Sequence, residues 1–375
     1  MRPLSFLCFG VLLAACAGGD PPSPGEDPPV EDDDDTADDD DTADDDDTPG
    51  PGVVWRDAPG EEWSCTGPSI FCVDDYLALA AVLAPEGLDM EACQGQLLLD
   101  LEELTGNPPT SIEETATADE LSASLRDALA MDWLFDGLDE RSLDVALVQT
   151  VPGSEVVEQH LLVTDPWVGT MKVRLLWPEG VVGPVPAVIG LPGHPNSDFV
   201  DVEFLEEHHG RAFAEAGFLV AVNLNRAYDS WYAESAAASA LLCAGWSLLA
   251  LRHYEILLLD KLLRSLQADG DVGSIFLVGH SGGSIAANAL VRHVWSFDGL
   301  VTDLESTYLG GAPCEEEAGS PWCVVDETHP EVYPLHPQIN DTGLVPYALP
   351  VLHQDYGYPD GAGAAIAFLQ ELAEG

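Results

Sequence analysis

Basic residues are scarce in this chain. Its 375 residues include 67 Asp and Glu but only 12 Lys and Arg, which gives a formal net charge of −55 at pH 7. Residues 53–375 alone carry a net charge of −40, so the acidity is not confined to one segment. Without a basic surface to neutralise phosphates, the chain is excluded as a nucleic-acid-binding protein and as a partner of other polyanions. A charge of this size repels anionic lipid and acidic polysaccharide.

Long apolar runs are also few. The N-terminal apolar stretch, Leu4–Ala15, follows the positive Arg2 and is shorter than the roughly 20 residues that span a bilayer, so it is typical of a cleaved export signal. It ends in Leu13-Ala14-Ala15-Cys16, which resembles the lipobox of bacterial lipoproteins. The resemblance implies that residues 1–16 are a lipoprotein signal with a lipidated Cys16, and that the protein is anchored to the cell envelope. Ala17 next to the cysteine favours the outer membrane. The alternative is an ordinary signal peptide with an incidental cysteine.

Apolar side chains are almost absent from residues 17–52. Three runs of four aspartates, each followed by a threonine, occur there at a period of six residues: Asp32–Asp35, Asp38–Asp41 and Asp44–Asp47. Like charges repel and extend such a chain, so the segment is predicted to be a disordered acidic tether. Loose calcium binding is the alternative, although the repeat lacks the glycine and the ligand spacing of an EF-hand loop.

Closely spaced cysteine pairs are missing, which disfavours a cysteine-based zinc site. Eight cysteines are present, and six remain when Cys8 is cleaved and Cys16 is lipidated. An even number in an exported chain predicts disulfides. The favoured local pairs are Cys314 with Cys323 and Cys65 with Cys72, and the two other cysteines are Cys93 and Cys243.

Residues 53–150 show apolar residues at three- and four-residue spacing in three stretches, with Pro and Gly between them. The spacing predicts helices over Asp74–Ala84, Ala92–Leu104 and Ala118–Phe135. Three short helices make a thin core, so the segment is interpreted as a helical N-terminal extension that packs on the main domain, residues 151–375.

From Val156 onward, apolar strands alternate with helices. Continuous apolar strands separated by helices indicate a mostly parallel, doubly wound α/β sheet covered on both faces. The predicted strands are Val156–Val163, Met171–Trp177, Pro186–Leu191, Phe218–Asn223, Ser274–Gly279 and Gly299–Thr302, and the predicted helices are Phe204–Ala216, Ala236–Leu266 and Gly282–His293.

One strand-to-helix junction carries a nucleophile motif. The apolar run Ile275–Val278 leads into Gly279-His280-Ser281-Gly282-Gly283, and the helix-compatible Ser284–Leu290 follows. A bare Gly-x-Ser-x-Gly is a weak signal, but at the end of a strand and the start of a helix it is typical of a nucleophile elbow. The helix directs its N-terminal amides at an oxyanion formed next to Ser281. The alternative is a glycine-rich turn with a spectator serine.

These residues resemble the α/β-hydrolase superfamily, in particular its dienelactone-hydrolase-like and acetylxylan-esterase-like branch. The resemblance covers about Val156–Ala373 and depends on the order of "PAVIGLPGH" (Pro186–His194), "GFLVAVNLNR" (Gly217–Arg226) and "IFLVGHSGG" (Ile275–Gly283). It implies an oxyanion hole made by the backbone N–H groups of His194 or its neighbour and of Gly282. The family more often has His-Gly where this chain has Pro192-Gly193.

A serine needs a base, and the fold implies that the base follows Ser281. His353 lies in "ALPVLHQDYGYP" (Ala348–Pro359), which resembles the last strand and histidine loop of the family, although it is three residues earlier than the family pattern. His329 and His336 are the alternatives. His293 is predicted to point away, within the helix that follows the elbow.

The acid that orients the base is predicted to be Asp341. It lies in "INDTGLVP" (Ile339–Pro346), which resembles the aspartate loop after the penultimate strand, 12 residues before His353. Asp326, 27 residues before His353, and Asp303, at the end of an apolar strand, are the alternatives.

Together these features predict a secreted, membrane-anchored serine hydrolase that acts on small or polymer-borne carboxylic esters through a Ser-His-Asp triad, with neither metal nor organic cofactor. A serine peptidase on the same fold is the second hypothesis. A catalytically inactive hydrolase fold that serves as a surface binding protein is the third.

Overall fold

Apolar, β-branched runs form a nine-stranded sheet in the described part of the chain. The computed structural model describes residues 52–61, 80, 84, 86–95, 137–166, 169–181, 183–193, 210–223, 239–246, 248–280, 282–291, 293–294, 296–302, 351–353 and 361–375. The chain divides into two units, 1–50 and 51–375, and the first unit lies outside the described residues. The strands are β1 (Val53–Asp57), β2 (Leu143–Val151), β3 (Val156–Asp165), β4 (Gly169–Pro178), β5 (Val185–Leu191), β6 (Leu219–Asn223), β7 (Val272–Gly279), β8 (Gly299–Thr302) and β9 (Val351–His353).

The strand order is β1-β2-β3-β4-β6-β5-β7-β8-β9. Strands β2, β3, β4 and β6 pair antiparallel in succession, whereas β6, β5, β7, β8 and β9 are all parallel. Strand β5 therefore has β6 on one side and β7 on the other, and the chain changes direction across the sheet at this point. Ligands of open α/β sheets bind outside the carboxyl ends of the strands at such a switch point.

In the part of the chain that the structure describes, the two faces of the sheet are covered by four helices: α1 (Gly210–Glu215), α2 (Leu248–Asp269), α3 (Gly282–Leu290) and α4 (Gly361–Glu374). The sheet has a hydrophobic core on each face, and successive residues of β7 contribute alternately to the two cores. Ile275 and Leu277 belong to the core that includes α2 and α3, while Phe276 and Val278 belong to the core that includes α1 and α4. The predicted fold class, a mostly parallel, doubly wound α/β sheet, is confirmed.

The parallel strands are buried on both faces, which explains their continuous apolar sequences. Every residue of β6 and of β8 is buried, and so are the last five of β7. On the α1 and α4 side, Phe218 makes edge-to-face contacts with Phe213 and Phe276, at centroid distances of 6.2 and 6.4 Å. These large rings hold α1 against the sheet.

Two predicted helix boundaries differ from the structure. The long helix predicted from Ala236 is interrupted, because Gly245 adopts a φ of 86° and ends a helical turn before α2 begins. Helix α3 ends at Leu290 rather than at His293, and the chain continues in a tighter turn. Within the described residues, no helix is both long enough and apolar enough to cross a membrane.

The prediction of an entirely helical segment 53–150 is corrected at both ends. Val53–Asp57 and Leu143–Val151 are strands, and β1 pairs parallel with β2 along its whole length. Both runs are rich in valine, which favours the extended backbone of a strand. The three- and four-residue spacing of apolar residues that predicts helices in the middle of the segment does not continue into these two strands. Most of the three predicted helices lies outside the described residues.

A disulfide joins the extension to the main domain. Cys93 and Cys243 are bonded, with their Cα atoms 6.0 Å apart across 150 residues of sequence. Next to it, the Gln94 amide donates to Ser239 Oγ at 3.0 Å. The sequence predicted disulfides but did not favour this long-range pair. The predicted pairs Cys314–Cys323 and Cys65–Cys72 lie outside the described residues.

Candidate active site

The junction between β7 and α3 is a closed, hydrogen-bonded turn. The His280 N–H donates to Leu191 O at 3.0 Å, and the Gly283 N–H donates to His280 O at 2.7 Å. The buried Ser284 hydroxyl donates to Gly279 O at 2.5 Å. Strand, turn and helix are thus fastened to one another and to the end of β5. Ser281, which the sequence predicts as nucleophile, lies between these residues but outside the described set.

Both outer glycines of the motif are required by the packing. A Cβ atom added to Gly283 would lie 2.1 Å from Leu191 O and 2.7 Å from Pro192 O. A Cβ atom added to Gly279 would lie 2.7 Å from Gly283 O. Real Cβ atoms essentially never come closer than 3.0 Å to such atoms. The Gly-x-Ser-x-Gly pattern is therefore explained by close backbone approach at its two ends.

The same contact brings the start of α3 against the loop that follows β5. Gly283 approaches Leu191 and Pro192, and Pro192 and Gly193 are buried. Gly282 is the first residue of α3, so its N–H has no acceptor within the helix and lies at the positive end of the helix dipole. One predicted oxyanion donor is therefore on a helix N-terminus next to this loop. His194, the other predicted donor, lies outside the described residues.

Three strand ends are aligned at the carboxyl edge of the sheet. Gly279 of β7 is in register with Thr302 of β8, and Thr302 is in register with His353 of β9. Neighbouring strands are about 4.8 Å apart, so the His353 backbone lies on the order of 10 Å from Gly279. This alignment brings the backbone of the predicted base to the edge at which the elbow begins. The side chain of His353 is outside the described set.

The remaining predicted acids and bases are not described by the structure. Asp303 directly follows Thr302 in the sequence, but its own position is not among the described residues. The same holds for the predicted acid Asp341 and for three alternatives: Asp326, His329 and His336. Their roles stay predictions.

A buried hydrogen bond fastens α3 to β8. The Asn288 amide donates to Thr302 Oγ1 at 3.2 Å, and both residues are almost completely buried. Asn288 lies two turns into α3, whereas Thr302 is the last residue of β8. No sequence motif signals this contact. It fixes the helix that begins at the elbow relative to the strand that precedes Asp303.

A pair of buried histidines lies behind α3. His253 Nε2 is 3.1 Å from Ala286 O, and His293 Nε2 is 3.1 Å from His253 Nδ1. Because a carbonyl oxygen only accepts, His253 carries its proton on Nε2 and its Nδ1 accepts from His293. Burial lowers the pKa of His253 to about 3, so the ring is neutral at physiological pH. His293 is thus engaged with α2, away from the carboxyl edge, and sequence reasoning did not single out His253.

Comparisons with known proteins give structural likenesses only. No family model matches the chain, and a search of curated proteins gives no match. Similar solved structures include an acetyl xylan esterase from Paenibacillus sp. R4, which is 14% identical with a TM-score of 0.44 over 72% of this chain and 98% of that one. A candidate acetyl xylan esterase from Bacteroides fragilis is 14% identical with a TM-score of 0.43 over 56% of this chain and 61% of that one.

A glucuronoyl esterase from Solibacter usitatus is 13% identical, with a TM-score of 0.33 over 51% of this chain and 61% of that one. The matched region thus spans 61% of the length of the Bacteroides and Solibacter structures. With TM-scores below 0.5, these likenesses carry no argument about activity. The fold class depends on the strand order and on the two covered faces described above.

Proposed function

We propose that this protein is an exported, envelope-anchored serine hydrolase that cleaves carboxylic esters through Ser281, His353 and Asp341. The observation that carries the proposal is the glycine-locked turn at the end of β7, where Gly279 and Gly283 both exclude a Cβ atom. A turn of this kind, between a buried strand and a helix N-terminus, is the setting in which a serine hydroxyl serves as nucleophile.

The proposed reaction proceeds through an acyl-enzyme. The Ser281 oxygen attacks the ester carbonyl while His353 takes the hydroxyl proton, and Asp341 holds the imidazole in the required tautomer. The N–H groups of His194 and Gly282 stabilise the oxyanion. His353 then gives its proton to the leaving alcohol. Water hydrolyses the acyl-serine in the same way, which restores the enzyme, and none of these steps needs a metal or an organic cofactor.

Substitution of the nucleophile tests this proposal. Ser281→Ala is expected to lower kcat for a chromogenic acetate ester by several orders of magnitude, because the oxyanion donors alone retain only a residual acceleration. Ser154→Ala, at an exposed position between β2 and β3, is the matched control and is expected to keep full activity. Thermal unfolding of both variants checks the fold. Retention of more than about a tenth of wild-type activity by Ser281→Ala would contradict the assignment.

The base and the acid are tested in the same assay. His353→Ala is expected to impair the enzyme about as much as loss of Ser281, because nucleophile and base act as one unit, while Asp341→Asn is expected to impair it less. An unimpaired His353→Ala enzyme would move the base to His329 or His336. An unimpaired Asp341→Asn enzyme would move the acid to Asp326 or Asp303.

Anchoring at a lipidated Cys16 is the second half of the proposal. The Cys93–Cys243 disulfide supports export, because disulfides persist in oxidising compartments. Cys16→Ser is expected to move the protein from the detergent phase to the soluble fraction. An unlipidated mature N-terminus in mass spectrometry would contradict the anchor.

The assay also distinguishes the two alternative functions. Cleavage of an aminoacyl-anilide in preference to the ester would indicate a serine peptidase. A folded wild-type protein that cleaves neither substrate would indicate a surface binding protein with a hydrolase fold.

A further inference from the structure

The carboxyl ends of β7, β8 and β9 form a short row at one edge of the sheet. Gly279 is in register with Thr302, and Thr302 is in register with His353. Thr302 therefore lies between the strand end at which the elbow, residues 279–283, begins and the strand end that carries the predicted base. Because β8 is paired with both neighbours, a shift of the Thr302 backbone changes the separation of these two strand ends.

Backbone pairing holds this end of the sheet with few hydrogen bonds. Strand β8 has four residues and β9 has three, whereas β5 has seven and β7 has eight. The pairing of β7 with β8 stops at Thr302. Strand ends open more readily than strand interiors, so the geometry at this position depends strongly on any additional side-chain contact.

Thr302 has such a contact with the helix that follows the elbow. The Asn288 amide donates to Thr302 Oγ1 at 3.2 Å, and the exposed fractions of the two residues are 4% and 0%. Water does not reach this hydrogen bond, so neither side chain can exchange its partner for solvent. A buried hydrogen bond of this kind is costly to break and holds its two elements in one arrangement.

The first turn of α3 is fixed to β5 and β7 by the elbow itself. Gly283 lies against Leu191 O, where an added Cβ atom would be only 2.1 Å away, and Ser284 Oγ donates to Gly279 O at 2.5 Å. Asn288 is six residues after the first residue of α3, so its bond to β8 is made two turns further along the same helix. Helix α3 thus connects the elbow to the end of β8 by described contacts at both places.

We infer that Asn288 and Thr302 are positioning residues for catalysis, because their hydrogen bond sets the separation between the elbow and the end of β9. The inference rests on the proposed function, in which Ser281 gives its proton to His353. Both members of the pair are buried, so they act through the backbone and not on the substrate. Proton transfer requires hydrogen-bond distance, and a shift of a fraction of an ångström slows it without weakening substrate binding.

Removal of the Thr302 hydroxyl tests this role. Thr302→Val keeps the size and the branching of the side chain, and it is expected to lower kcat for nitrophenyl acetate about tenfold. Acylation and deacylation use the same base and slow together, so KM is expected to change by less than about twofold. Thr302→Ser keeps the hydroxyl and is expected to retain kcat within about twofold. Thermal unfolding checks that each variant is folded at the assay temperature.

A double variant separates positioning from stability. Asn288→Leu/Thr302→Val removes both members of the hydrogen bond, so neither leaves the other as a buried group without its partner, and the melting temperature is expected to return toward that of the wild type. The activity is expected not to return with it, because the directional contact is still missing. Its kcat should equal that of Thr302→Val, since the two substitutions remove one and the same interaction.

Gln267→Ala is the matched control. The Gln267 amide donates from α2 to Gly273 O of β7 at 2.7 Å, so it also joins a helix to a strand, but at the amino end of β7. Its melting temperature is expected to fall, as in Thr302→Val, because a partly buried hydrogen bond is lost. Its kcat and KM are expected to equal those of the wild type.

A wild-type kcat in folded Thr302→Val, or in the folded double variant, would overturn the inference while ester hydrolysis itself stands. An equal loss of kcat in Gln267→Ala and in Thr302→Val would overturn it too. If Thr302→Val does not fold, the double variant decides the result. A wild-type protein that does not hydrolyse the ester would contradict the proposed function and the inference with it, so the two failures are distinguishable.

Discussion

At the scale of single residues, the buried histidine pair links the protonation state of the interior to the position of α3. His253 donates to Ala286 O and accepts from His293, and it is fully buried. Burial lowers its pKa from 6.5 to about 3. Between pH 6.5 and about pH 3, the imidazole of His253 is therefore protonated in the unfolded chain but neutral in the folded protein. The stability contributed by the neutral ring is fully present above pH 6.5 and is lost as the pH falls from 6.5 toward 3.

His253→Gln tests this linkage. Glutamine keeps a side-chain N–H donor and an acceptor oxygen but does not titrate. Between pH 7.5 and pH 5.0, the fall in the free energy of unfolding is expected to be smaller in the variant by about 2 kcal/mol, from 1.4 kcal/mol for each pH unit below 6.5. Denaturant unfolding at the two pH values measures the difference. An equal fall in both proteins would show that His253 is not the titrating group.

Single residues also show where sequence reasoning succeeds and where it stops. The Gly279–Gly283 motif is visible because its residue types lie within five consecutive positions, although the packing partners of Gly283, Leu191 and Pro192, are distant in sequence. The Asn288–Thr302 and His253–His293 contacts join residues 14 and 40 positions apart in different elements. The neighbouring sequence does not reveal such pairs, because a buried amide or imidazole belongs to no motif of fixed residue spacing.

At the scale of secondary structure, the junction of β7 and α3 depends on its close approach to β5. A methyl group at Gly283 would meet Leu191 O at 2.1 Å, and backbone atoms cannot yield as a flexible side chain does. Gly283→Ala is expected to lower the free energy of unfolding by about 1–3 kcal/mol. It should also lower kcat by about tenfold or more, because the elbow moves by a fraction of an ångström.

Gly363→Ala is the control for this prediction. Gly363 lies exposed on α4, with nothing within 4 Å of an added Cβ. Alanine there is expected to raise the free energy of unfolding by about 0.5 kcal/mol or less, because Gly363 lies in the first turn of α4, and to leave activity unchanged. Denaturant unfolding and the acetate-ester assay measure both variants. Equal behaviour of the two glycines would contradict the account of the elbow.

The elements themselves were predictable where the pattern was continuous. Gly299–Thr302 was predicted with the observed bounds, and Pro186–Leu191 and Phe218–Asn223 within one residue, because buried parallel strands are apolar throughout. Strands β1 and β2 were missed. Among the described residues β1 pairs only with β2, and most of its side chains are exposed, so its sequence lacks the apolar run that reveals a central strand.

At the scale of the whole molecule, the excess of acidic residues acts on every approaching substrate. Residues 53–375 carry a net charge of −40. The resulting field lowers the local concentration of anions, and salt screens it with a Debye length of about 10 Å at 0.1 M. A neutral ester does not experience this effect.

A salt series tests the field. The kcat/KM for an ester that carries a free carboxylate, such as a nitrophenyl succinate, is expected to rise about threefold to tenfold between 10 mM and 0.5 M sodium chloride. The kcat/KM for nitrophenyl acetate should change by less than about twofold, since the substrate is uncharged. Parallel salt curves for the two esters would contradict the prediction.

The proposed activity depends on a nucleophilic serine, Ser281, at the turn between β7 and α3. A fluorophosphonate reacts covalently with an activated serine and with few other groups in a folded protein. The most direct measurement is therefore labelling of the pure, folded protein, followed by proteolysis and mass spectrometry. A single modified residue, Ser281, is expected, with no labelling after thermal unfolding. A folded protein that remains unlabelled, or that carries the label at another residue, would show that Ser281 is not an activated nucleophile.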